Sequence, residues 1–220
     1  MALPLLPRSK PLPIIHLNGF PGTGKLTIAR EVVTILQEHF ASFGTGEKVK
    51  LVHNHLMINP ADAVLHRTQP GYQKLRKALR DAIFSTLKSE PATFTTAYLF
   101  TDWQSGDDIG IQVCKDFQST AIERGCEFIP IIVHCEQAEN IARLGNSDRV
   151  LWHKVTDPEL LIRFREELHP PPVHLFEDVD TRLELDVTKL SAQQAAQCIM
   201  RHVLTCLSNS ASDVPRNSEP

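Results

Sequence analysis

The sequence predicts an α/β fold: a three-layer sandwich with a five-stranded parallel sheet at its centre and helices on both faces. Three observations predict it. Short apolar runs alternate five times with segments whose apolar residues recur every three or four positions, the signature of strand–helix–strand units. A glycine-rich turn, Gly19 to Gly24, joins the first apolar run to the first helical segment. The 220 residues are 42% hydrophobic and 22% charged, which is ordinary for a globular chain that buries a core and rules out disorder for its bulk.

The elements follow in order. Pro13 to Asn18 is the first strand, and the glycine-rich turn leads into a helix from about Lys25 to Phe40 with Ile28, Val32, Ile35 and Leu36 on one face. Gly44-Thr45-Gly46 breaks the chain before a second strand, Val49 to Val52. Pro60 to Leu65 reads as a short helix. Tyr72, Leu75, Leu79, Ile83 and Leu87 mark a longer one at spacings of three and four. Ala97 to Phe100 is the third strand and ends in Thr101-Asp102. Ile111 to Arg124 is helical, with Gly125 as its C-cap. Phe128 to Val133 is the fourth strand, and Gln137 to Leu144 a helix. A further helix runs from Asp157 to Leu168, with Pro158 in its first turn. Leu183 to Val187 is the fifth strand. Ser191 starts the last helix, Gln194 completes a capping box, and the helix ends near Leu207. The expected organisation is an N-terminal extension (1–12), one domain (13–207) and a disordered polar tail (208–220).

Charge and cysteines narrow the class. The net charge is −3, and proteins that grip nucleic acid through its phosphates are usually basic, so no nucleic-acid partner is expected. No run of about 18 apolar residues is present, and the N-terminal stretch lacks a continuous apolar core, so neither a membrane span nor a signal peptide is expected. The five cysteines are odd in number and none is spaced Cys-x-x-Cys. That pattern fits reduced, mostly buried thiols of a cytoplasmic protein. A monomer or homodimer is expected.

The strongest motif is Gly19-Phe20-Pro21-Gly22-Thr23-Gly24-Lys25-Leu26-Thr27. It follows a strand and opens a helix, the setting in which backbone N–H groups and a helix N-terminus surround phosphate oxygens and the lysine reaches the β- and γ-phosphates. Leu26 stands where a magnesium-binding hydroxyl is usual, and the hydroxyl comes one residue later, at Thr27. In parallel sheets ligands sit at the carboxyl ends of strands, so Asp102 after strand three and His53 with His55 after strand two are candidates. Asp102 is placed to orient magnesium or its water; the other reading is a turn carboxylate. An imidazole titrates near neutral pH, so His53 is a candidate general base; the other reading is a polar rim.

The displaced hydroxyl resembles the Gly-x-Pro-Gly-x-Gly-Lys-x-Thr loop of nucleoside monophosphate kinases. With Asp102, Arg143, Arg149 and the closing turn Asp186-Val187-Thr188, residues 13–207 resemble the P-loop kinase-like group that includes chloramphenicol phosphotransferase, zeta toxin and the nucleotide kinases. The resemblance implies strand order 2-3-1-4-5, ATP on Gly19, Pro21, Gly22, Thr23, Gly24, Lys25, Leu26 and Thr27, and Mg2+ near Thr27 and Asp102. It implies a lid at about 143–156 whose Arg143 and Arg149 neutralise charge on the transferred phosphoryl group. It also implies an acceptor held by His53, His55, Arg67, Arg76 and Arg80. The expected activity is ATP-dependent transfer to a hydroxyl or phosphate of a small molecule. A nucleotide-binding regulatory NTPase and a scaffold with a vestigial loop are the alternatives. The charge distribution agrees with a small anionic ligand: residues 66–80 carry +5, leaving −8 elsewhere, which suits focusing an anion into a cleft.

Overall fold

Five strands form one sheet: β1 (Ile14–Gly19), β2 (Lys48–His53), β3 (Thr96–Asp102), β4 (Phe128–His134) and β5 (Leu183–Asp186). Every neighbouring pair is parallel, in the order β2-β3-β1-β4-β5. The structure is a computed structural model, and it describes residues 10–145, 157–167 and 173–212. Seven helices flank the sheet among the described residues: α1 (Lys25–Ser42), α2 (His55–Asp62), α3 (Tyr72–Ser89), α4 (Asp108–Arg124), α5 (Gln137–Ala142), α6 (Pro158–Glu167) and α7 (Ala192–Ser212). None of them is long and apolar enough to cross a membrane.

Local chemistry explains both the agreements and the shifts. Gly125 ends α4 in the left-handed region at φ 74°. Ser191 and Gln194 exchange side-chain and backbone hydrogen bonds at 3.1 and 2.9 Å, a complete capping box. α4 begins at Asp108, ahead of the expected Ile111, because Asp107 caps it and accepts from the Gly110 N–H at 2.7 Å. The short helix expected over Pro60–Leu65 instead spans His55–Asp62, with Pro60 inside it. Proline lacks an N–H and suits a helix's first turn. Here that preference yields to the strand end, because the Asn54 carbonyl accepts from both Met57 and Ile58 N–H groups and starts the helix directly. The helix expected over Gln137–Leu144 divides into α5 and a 3₁₀ turn, Arg143–Gly145. α7 continues to Ser212, past the expected end at Leu207. Leu12, assigned to an extension by sequence, is buried, and its N–H donates to the Phe94 carbonyl at 2.9 Å.

The period-two alternation of β1 splits the core. Ile15 and Leu17 face α1 and α7, where they pack with Ile28, Val32, Leu36, Ile199 and Val203. Ile14 faces the other side with Phe84, Phe100, Phe117 and Phe176. Arg124 is buried on the rim of that second layer. Its guanidinium donates to the carbonyls of Leu87, Thr93, Thr96 and Leu12 and to Thr93 Oγ1, tying four segments together.

His16 falls on the same aromatic side. It is fully buried and stacks on Phe117 with ring centroids 4.2 Å apart, edge-on to Phe176 at 5.6 Å. Neither ring nitrogen has a hydrogen-bond partner among the described residues. Burial lowers its pKa from 6.5 to about 4, with the Asp102 carboxylate opposing the shift and His174 adding to it. The folded-state pKa lies below the unfolded one, so the imidazole's contribution is full above pH 6.5 and is lost as pH falls toward 4. We expect His16→Leu to remove about 3 kcal/mol of acid sensitivity across that window, read as a flatter pH dependence of denaturation midpoints. Parallel curves for variant and parent between pH 4 and 7 would contradict it.

Candidate active site

The parallel register brings the sequence candidates to one edge of the sheet. Asn18 pairs with Asp102, His53 with Thr101, and Gly19 with Val133. The glycine-rich loop, the β2 end and the carboxylate of β3 therefore share one cleft of about 790 Å³.

The loop's shape is set by glycines at two tight places. Gly22 and Gly24 have φ of 90° and 87°, where a side chain is strained. A Cβ on Gly22 would also collide with the Asn140 amide, and one on Gly19 would lie 2.6 Å from the Val133 carbonyl oxygen. The loop is held from behind by the elements after β4. Asn140 Nδ2 donates to the Pro21 carbonyl at 2.8 Å, and Arg165 Nη2 to Asn140 Oδ1 at 3.0 Å. The Arg165 guanidinium lies 4.8 Å from the Phe20 ring centroid. Arg143 donates to Glu139 at 2.7 Å, to the Thr23 carbonyl at 3.1 Å and to the Val187 carbonyl at 2.8 Å, so it clamps the loop to the turn after β5. That turn is braced in turn. Asp186 accepts from Thr188 N and Oγ1, which hold its carboxyl below the usual range, and Thr188 Oγ1 accepts from the Glu136 N–H at 2.9 Å.

Lys25 folds back across the loop and donates to the carbonyls of Gly19 at 2.6 Å and Phe20 at 2.8 Å. α1 begins behind it with no capping side chain and no acidic residue in its first turn, so its positive end is left to the cleft. Asp102 is buried beside the loop. Its Oδ1 accepts from the Trp103 N–H at 2.8 Å and its Oδ2 from Gln104 Nε2. The Asn18 amide joins these parts: its oxygen accepts from the N–H groups of Gly19 and Gln104, and its nitrogen donates to the carbonyls of Gln104 and His174.

Of the sequence candidates, Pro21, Gly22, Thr23, Gly24, Lys25, Leu26, Thr27, His53, His55, Arg67, Asp102 and Arg143 line the cleft. Gly19, Arg76 and Arg80 do not. Arg76 lies over the Tyr72 ring at 6.0 Å, and Arg80 is paired with Asp116 of α4 at 3.3 Å. Arg149 and most of the expected lid, residues 146–156, lie outside the described residues. The roles of Asn18, Gln104, Asp62 and Arg165 were not read from the sequence. Asn18 alone carried a signal: a buried-strand position filled by an amide directly before a glycine loop.

No family model matches the sequence, and no curated protein matches it. Solved structures do match. The APS kinase of Mycobacterium tuberculosis, in complex with AMPPNP and APS, aligns over 89% of this chain and 99% of its own at TM-score 0.56 and 14% identity. The fold is that of the P-loop kinases. A gluconokinase from Sinorhizobium meliloti aligns over 96% of this chain and 100% of its own, with TM-score 0.52 and 15% identity. The Deinococcus radiodurans tunicamycin resistance protein does so over 87% and 95%, with TM-score 0.55 and 14% identity. At these identities the likeness extends to the fold.

Removing the Asn18 amide takes a partner from four backbone groups at once, the N–H groups of Gly19 and Gln104 and the carbonyls of Gln104 and His174, of which the Gln104 carbonyl keeps the His174 N–H. Asn18→Ala should cost on the order of 2–4 kcal/mol in chemical denaturation, more than one ordinary hydrogen bond contributes. A loss below about 1 kcal/mol would show that water replaces the amide.

Proposed function

We propose that the protein is an ATP-dependent phosphotransferase that moves the γ-phosphate to a hydroxyl or phosphate of a small acceptor. The observation that carries this reading is the loop: Gly22 and Gly24 at positive φ, Lys25 folded across it, and the uncapped start of α1 behind it. Backbone N–H groups and the helix end would take the phosphate oxygens, and Lys25 would turn from the loop carbonyls to the β- and γ-phosphates. Catalysis would come mainly from positioning and charge stabilisation, as is general for phosphoryl transfer.

The Asp102 carboxylate and the Thr27 hydroxyl, the two oxygen donors expected to hold the metal, line the same cleft. That sparse set fits Mg2+, which keeps several waters and takes few protein ligands; when bound, it would neutralise phosphate charge. Arg143 places a cation against the loop at Thr23, and Arg149 is its proposed partner in the lid. His53 and His55 stand at the acceptor end, where His53 would take the proton of a hydroxyl acceptor.

Calorimetry with a non-hydrolysable ATP analogue tests the nucleotide site. Lys25→Ala should weaken binding on the order of a hundredfold. Asp102→Asn should leave analogue affinity within a few-fold and lower transfer on the order of a hundredfold or more. Incubation with labelled ATP and a broad library of nucleosides, nucleotides and small alcohols should label at least one acceptor. Release of phosphate to water alone would favour a regulatory NTPase instead.

A further inference from the structure

We propose that the acceptor is itself a phosphomonoester, held by Arg67 and the histidines at the end of β2. The proposal rests on the phosphotransferase reading above and names the substrate class of the same cleft.

The acceptor half of the cleft is lined by His53, His55, Arg67 and Asp62. Asp62 is the carboxylate on this side, and it is already engaged. It accepts from the Tyr72 hydroxyl at 2.5 Å and lies 3.7 Å from Arg67 Nη2. Burial and the same carboxylate push the Tyr72 hydroxyl above its ordinary pKa, so it remains a donor to Asp62. The cleft's other carboxylate, Asp102, sits at the loop and accepts from Trp103 and Gln104. Among the described residues no further carboxylate lines this end of the cleft; His53 and His55 stand at the β2 end, with ring centroids 6.3 Å apart.

What the site offers is anion recognition. The Arg67 pair is long, and its side chain is 61% exposed, so little is lost when the guanidinium turns to a stronger anion. A planar guanidinium binds phosphate oxygens in parallel pairs, and imidazole N–H groups add further donors. Trp103 and Phe164, with ring centroids 5.7 Å apart, form an apolar wall of the same cleft for the body of the molecule.

The chemistry balances without a base. A phosphomonoester is largely dianionic near neutral pH, its second pKa being about 6. One of its oxygens attacks the γ-phosphorus. The bond from the γ-phosphorus to the β–γ bridging oxygen breaks, ADP leaves with that electron pair, and a new P–O–P anhydride forms. No proton has to leave the nucleophile.

Matched pairs test this: nucleosides against nucleoside monophosphates, and sugars against sugar phosphates, assayed by ADP release with analogue binding measured alongside. We expect a phosphorylated member to be turned over, and its partner without phosphate to react on the order of a hundredfold less efficiently. The pair that responds separates the nucleotide and sugar-phosphate sources. Arg67→Ala should raise the acceptor's KM about tenfold or more with the KM for ATP unchanged, and Arg67→Lys should restore part of it. His53→Gln should act on acceptor KM more than on kcat. Turnover of acceptors without phosphate, with His53→Gln costing on the order of a hundredfold in kcat, would overturn the proposal and make His53 a base. Analogue binding with no acceptor accelerating ADP release would overturn it while leaving the nucleotide site standing. Failure of the analogue to bind would overturn both.

Discussion

The buried amide of Asn18 is the constraint on which the site depends. Strand pairing alone sets the ends of β1 and β3 side by side, but it leaves the chain free to diverge at each strand's end. Asn18 removes that freedom: one side chain accepts from the first N–H of the glycine loop and is bonded to both the N–H and the carbonyl of Gln104. Gln104 in turn donates to Asp102. The loop and the carboxylate are thus parts of one polar network inside an apolar sheet, where an unmet polar group is costly and a complete network fixes a single geometry.

The rest of the loop is rigid for a different reason. Its backbone turns on glycines, and a glycine-rich segment is by itself the most mobile kind of chain. Its order is imposed by neighbours that reach it from the segment after β4: Asn140 on Pro21, Arg143 on Thr23 and Arg165 over Phe20. Arg143 is therefore first a tie between the loop and the turn at Val187, with Glu139 holding its Nε. A cation fixed in this way strengthens the positive field at the loop without needing to move, which is preorganisation of the kind that phosphate chemistry rewards.

What was legible in the sequence was what is local. The glycine loop, the Ser191–Gln194 box and the Gly125 cap are each encoded within a few residues, and the five parallel strands follow from alternation and short connections. What escaped was what side chains do across the chain. The basic run at 66–80 reads as a free positive face, yet Arg67, Lys77 and Arg80 meet Asp62, Asp81 and Asp116. Of these partners only Asp81 is near enough in helix spacing to be foreseen. The Arg80–Asp116 pair joins α3 to α4, a contact fixed by tertiary packing, and it makes Arg80, expected from the sequence to hold an acceptor, a tie between two helices. The short helix shifted for the same reason: its start was decided by where β2 ends, and Pro60 was carried inside it.

The two halves of the cleft also differ in how firmly they are built. The end at the glycine loop rests on fully buried groups, among them Asn18, Thr23 and Asn140. The end at β2 rests on α2 and its neighbours, where Leu56 and Val64 are exposed, at 53% and 70%, and the Arg67–Asp62 pair is loose. Substitutions in such a segment disturb little packing, so the β2 end of the cleft can change while the loop end keeps its geometry. Proteins as different as an APS kinase and a gluconokinase align with this chain over nearly its whole length at 14% and 15% identity. At such identities the likeness carries the fold and no acceptor with it.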